Sequence, residues 1–86
     1  MDQKTIKGTI GSAIFRDEAV HFVYITPKRV STRLVMPYRW RSVNSFIGLD
    51  FGRDDLREFV TTKISRIRMI RANEVFPPFF MLEVDF

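Results

Sequence analysis

The amino-acid sequence predicts a small, mostly-β domain headed by one short helix. Three observations carry that prediction. Residues 45–67 set two aromatic-rich apolar runs on either side of Gly52-Arg53-Asp54-Asp55, the layout of a β-hairpin. Residues 19–26 are rich in β-branched and aromatic side chains and stop at Pro27. Phe80, Leu82, Val84 and Phe86 alternate with Met81, Glu83 and Asp85, the period of a half-buried strand.

The elements follow in chain order. Ile6, Ile10, Ala13 and Ile14 form one stripe of a helical period, which predicts a helix over 3–16. Gly8 and Gly11 each cost about 1 kcal/mol there relative to Ala, so a strand over 5–10 is the competing reading. Gly8-Thr9-Ile10-Gly11 also matches the G-x-x-G loop of KH domains, without room for the helix that should precede it. In the first strand Val20, Phe22 and Tyr24 share one face and His21, Val23 and Ile25 the other. Both faces are mostly apolar, which predicts burial on both sides. After a turn at 27–30, residues 31–37 resume as a strand, with Arg33 inside an apolar run. That arginine either snorkels to an edge or meets an anion. Tyr38-Arg39-Trp40-Arg41 interleaves aromatics with cations. The aromatics either stack on nucleic-acid bases or simply pack, with the arginines solvated. In the hairpin, Phe46, Leu49 and Phe59 read as core. Asp50, Asp54 and Asp55 read as turn chemistry, not as a metal site. Ile64, Ile67 and Ile70 follow three apart, expected to point inward while Arg66, Arg68 and Arg71 point outward. Pro77-Pro78 sets off the last segment, which predicts a domain over 1–75 and an extension strand over 76–86. The extension packs on the domain or on a second subunit.

At 86 residues the chain has room for one domain, which buries roughly 60–65% of its unfolded surface. Nine Phe supply much of the core volume. The absence of cysteine rules out disulfides and thiolate metal sites, and a single His rules out an imidazole cluster. The chain lacks a Ser/His/Asp set and a phosphate-binding Gly-Lys-Ser/Thr loop, so neither an enzyme nor a cofactor is expected. No apolar run approaches a membrane span and the first residues lack a signal-peptide layout, so a cytoplasmic protein is expected.

The net charge of +4 is unevenly placed. Between Glu18 and Asp50 no acid accompanies Lys28, Arg29, Arg33, Arg39 and Arg41. Between Glu58 and Glu74 none accompanies Lys63, Arg66, Arg68 and Arg71. Ten of the 14 cations are arginine, the side chain suited to bidentate phosphate contacts and to stacking. A basic face kept for solubility is the plain alternative.

Together these residues resemble a WYL domain over about 6–67. The resemblance rests on the isoleucine-striped helix ending in Ala13-Ile14, the strand reaching Tyr24, and Arg33-x-x-x-Pro37. It continues through Phe46-Ile47-Gly48-Leu49-Asp50, Arg53-x-x-x-Arg57-x-Phe59 and Ser65-Arg66-Ile67. The chain departs from the family where Phe46-Ile47-Gly48 replaces the Trp-Tyr-Leu triplet and Ser65 replaces an acid. With about eighteen residues ahead of the first strand, a stand-alone module without the usual helix-turn-helix domain is expected. The resemblance implies an Sm-like, SH3-type five-stranded barrel with an N-terminal helix. It also implies a regulatory module, of the kind found in transcription regulators and phage defence, that binds nucleic acid or another anionic ligand. Its patch would include Tyr24, Arg33, Arg53, Arg57 and Arg66, joined by Tyr38 and Arg39 from the aromatic–arginine run. The expected partners are single-stranded nucleic acid, RNA or DNA, or a nucleotide-like ligand. A homodimer through the C-terminal strand and a larger effector protein are the further partners considered.

Overall fold

A computed structural model describes residues 1–71; the extension over 76–86 and its strand lie outside the described residues. The order is α1 (Gln3–Arg16), β1 (Ala19–Ile25), β2 (Val30–Ser42), β3 (Ser45–Asp50), β4 (Asp55–Val60), a 3-10 turn (Thr61–Lys63) and β5 (Ile64–Ile70). The five strands form one antiparallel sheet in the order β4-β3-β2-β1-β5. No membrane-crossing helix exists among the described residues.

Helix α1 forms despite its two glycines because Ile6, Ile10 and Ala13 are wholly buried on the sheet. Both ends are capped. The Asp2 carboxylate accepts from the Thr5 backbone N–H at 2.8 Å, and this bond holds its pKa below the ordinary value. At the far end Asp17 is left-handed (φ 54°), and Glu18 donates to the Ala13 carbonyl at 3.0 Å. Gly8-Thr9-Ile10-Gly11 therefore lies inside a helix, which removes both the KH-loop and the strand readings.

The core lies between α1 and one face of the sheet. Phe22, Phe46, Phe59 and Tyr24 form its aromatic centre. Phe22 meets Phe59 edge-on at 5.5 Å, and Phe46 stacks on Phe59 at 5.6 Å. Three expectations need correction. The two faces of β1 are not equally buried: Val20, Phe22 and Tyr24 are core, whereas on the other face Ala19 is buried, His21 and Val23 are half-buried and Ile25 is 48% exposed. Leu49 is not with Phe46 and Phe59, because alternation along β3 puts it on the opposite, outer face. Ile64, Ile67 and Ile70 do not share a face either. Arg66 is left-handed (φ 54°) at a bulge where β5 has one more residue than β1, between the pairs His21–Arg68 and Val23–Ser65. That extra residue returns Ile67 to the face of Ile64, and Ile70 then falls on the outer face beside Ala19.

Strand β2 runs straight through Pro37, where 31–37 alone was expected. The register shifts between Pro37 and Arg39, so the bulge absorbs the residue that cannot donate to the ladder. Edge strands β4 and β5 are not paired, so a closed barrel is not established. The sheet is nonetheless strongly coiled. A flat five-stranded sheet would hold its edges about 19 Å apart, whereas the chain from Val60 to Ile64 reaches at most about 14 Å. Tyr24 of β1 touches Phe59 of β4 at 5.4 Å across two intervening strands, and its hydroxyl accepts from the Val60 N–H at 3.0 Å.

Candidate anion-binding cleft

Arg33 and Asp50 organise the site. Arg33 lies on β2 opposite Phe22, so its side chain starts from the core face of the sheet. Asp50 ends β3 on the same face and is 1% exposed. Arg33 Nη1 donates to Asp50 Oδ2 at 2.8 Å, and its Nε donates to Ser31 Oγ at 3.1 Å. The guanidinium also sits 5.9 Å from the centre of the Tyr24 ring. The other carboxylate oxygen, Oδ1, accepts from the Gly52 N–H at 3.0 Å, while the Asp50 carbonyl accepts from Asp54 N–H at 2.7 Å. A buried carboxylate thus fixes the turn at 51–54 and aligns an arginine over it.

Around this pair opens a polar cleft of about 190 Å³, lined by Arg29, Ser31, Thr32, Arg33, Asp50, Gly52 and Arg53. Three guanidinium groups face one carboxylate. Arg33 is held by Asp50, whereas Arg29 and Arg53 have no ion pair among the described residues. The two unpaired cations, beside the Ser31 hydroxyl that Arg33 Nε holds in place, can receive a phosphate or carboxylate without first giving up an ionic partner.

The residues expected to form one patch are divided. Arg33 and Arg53 meet at the cleft. Tyr24 is core, 8% exposed and wedged between Phe22 and Phe59, so it offers no free stacking face. Arg57 pairs loosely with Asp55 at 3.5 Å on β4, and Arg66 is exposed at the β5 bulge. Tyr38 and Arg39 belong to a second basic–aromatic surface near the β2–β3 turn. There Tyr38 is 53% and Trp40 36% exposed, and the Trp40 ring meets Phe46 edge-on at 6.2 Å. Trp40 therefore both packs and presents a free edge, while Arg41 pairs with Glu58 at 3.4 Å.

Asp50, Arg29, Ser31 and Thr32 also belong to the site, and nothing in their sequence context marks them as members. Asp50 resembled a turn acid like Asp54 and Asp55. Only the pairing of Val35 with Asp50 brings it beside Arg33. Among the described residues no cluster of potential metal ligands exists.

No family model matches the chain, and no curated protein matches it. Among solved structures it is similar to proteasome accessory factor B/C (PafBC) of Arthrobacter aurescens, with a TM-score of 0.71 and 19% identity. The match covers 78% of this chain and 11% of that one. This likeness shows the fold, and it supports the WYL-like architecture implied by the sequence resemblance.

Proposed function

We propose that the protein is a non-enzymatic regulatory binding module of WYL type, its coiled sheet a variant of the SH3-type small barrel. Its ligand is single-stranded nucleic acid, with phosphate held at the Arg29–Arg33–Arg53 cleft. The observation that carries this reading is the division of labour among the arginines. Arg33 is neutralised and fixed by Asp50, which leaves Arg29 and Arg53 unpaired across the opening. Tyr38, Arg39 and Trp40 lie at the other end of β2, up to about 30 Å away along the strand. An oligonucleotide can engage phosphate at one end and stack bases at the other, which a mononucleotide cannot. The similarity to an accessory factor agrees with the regulatory role; a cytoplasmic setting and an effector protein or second copy as partner belong to the same proposal.

One observation favours a second reading, a sensor of a small anionic ligand: the cleft is compact and polar, and could saturate with one phosphate-bearing metabolite. Oligonucleotides of increasing length and mononucleotides, titrated at two salt concentrations, separate the two. Affinity should grow with length and fall steeply with salt. Arg29→Ala with Arg53→Ala should weaken oligonucleotide binding about tenfold or more and reduce the salt slope by about 1.4, the value for two single-strand phosphate contacts. Binding by the folded double variant equal to that of the parent would sink the cleft as the phosphate site. Saturation by a mononucleotide as tight as by any oligomer would transfer the assignment to the small-ligand sensor.

A further inference from the structure

The face of the sheet turned away from α1 carries an apolar row where a solvent-facing side would be polar. The flanking rows hold His21 and Arg68 on one side and Arg39 and Glu58 on the other. Ile70 pairs with Ala19, Met36 with Leu49, and Leu49 with Leu56. Because Val20 pairs with Val35, Ala19 and Met36 also stand side by side. One apolar row therefore crosses all five strands, and Leu34 and Phe51 extend it along β2 and β3. Ala19 and Ile70 are buried at the β1–β5 end, whereas Leu56 at the β4 end is 59% exposed.

We propose that this outer face is the seat of the chain's own C-terminal segment, residues 72–86. The chain leaves β5 at Ile70, itself the first member of the row, so the segment starts at the edge of the face. Reach is ample. From Arg71 to Phe80 an extended chain covers about 30 Å, and the full width of five strands is about 19 Å. The sequence of the segment matches the task. Phe80, Leu82, Val84 and Phe86 form one apolar side that can lie on Met36, Leu49 and Leu34, and Glu83 and Asp85 fall on the side left to water. Pro77 and Pro78 carry no N–H and so cannot donate to a ladder that would prolong the β5 edge, which suits a segment that crosses the face instead. Tethering favours this occupant over a second copy. A short linker holds the segment at an effective concentration of about millimolar, which a separate chain must exceed to compete.

Methyl NMR on the intact chain tests the proposal without any destabilising variant. With Ile, Leu, Val and Met methyls labelled, cross-peaks are expected between Leu82 or Val84 and Leu34, Met36 or Leu49. In a mixture of labelled and unlabelled chains, the filtered experiment that reports contacts between molecules should be silent for these pairs. Leu82 and Val84 methyls at unfolded-chain shifts, with no cross-peaks to the outer face, would overturn the proposal. Cross-peaks seen only between molecules would overturn it equally, by making a second copy the occupant.

Discussion

Arg33 and Asp50 sit 2.8 Å apart with side chains 12% and 2% exposed, so each depends on the other for the solvation it has lost. Replacing Arg33 by Met leaves the Asp50 carboxylate facing an apolar wall. Urea unfolding should then show a loss of about 3 kcal/mol. In the double variant with Asp50→Asn the two losses should fall well short of additive, because the uncompensated charge is gone. An Arg33 variant is therefore a poor probe of ligand binding, and the Arg29 and Arg53 pair is the better one. Gly48 is a second position with a sharp requirement. A Cβ there would stand 2.5 Å from Val35 Cγ1 and 2.8 Å from the Met36 carbonyl oxygen. Gly48→Ala should cost about 1–3 kcal/mol by overpacking, and calorimetry should register a lower Tm. Single residues were only partly legible in the sequence. Phe46 and Phe59 announced themselves by size and spacing, whereas the burial of Asp50 depends on which strand lies beside β3. No local pattern encodes that.

At the scale of the element, α1 is the most legible part of the chain and the easiest to improve. Its isoleucine stripe marks the buried face, and the structure returns the expected limits, Gln3–Arg16. Gly8 and Gly11 meet nothing within 4 Å of an added Cβ. Each Gly→Ala change should raise stability by about 0.5–1 kcal/mol by reducing the freedom of the unfolded chain, and thermal unfolding by circular dichroism would show it. A drop in Tm in either variant would mean that the outward helix face has a packing role. The strands were harder to delimit. Pro37 reads as a stop, yet β2 carries it at a bulge, and β5 hides a bulge at Arg66 that shifts the isoleucine pattern by one residue. Bulges change which face a side chain takes without leaving a periodic trace, so both errors share one cause.

On the scale of the whole molecule, mostly-β architecture and a basic surface could be read from composition, turn signals and the spacing of acids. The path of the sheet could not. Only the short link Thr61–Lys63 reveals that the two edge strands converge, and only the coiling it imposes brings Tyr24 under Phe59 and removes it from the surface. The same topology explains why the arginines disperse. Strands adjacent in sequence are mostly adjacent in space, so Arg33 and Arg53 gather at one turn while Arg57 and Arg66 stay on separate edge strands. The strand order also has a bearing on how the chain acquires its shape. The pairings β1–β2, β2–β3 and β3–β4 are all between sequence neighbours, and each can zip from its own turn within microseconds. The pairing of β1 with β5 joins the two ends of the strand sequence, Ala19 to Ile70, and carries most of the loop-closure entropy. Folding speed is thus governed by the arrival of the last strand on the first, and a ribosome must have released β5 before the meander behind it can become a domain.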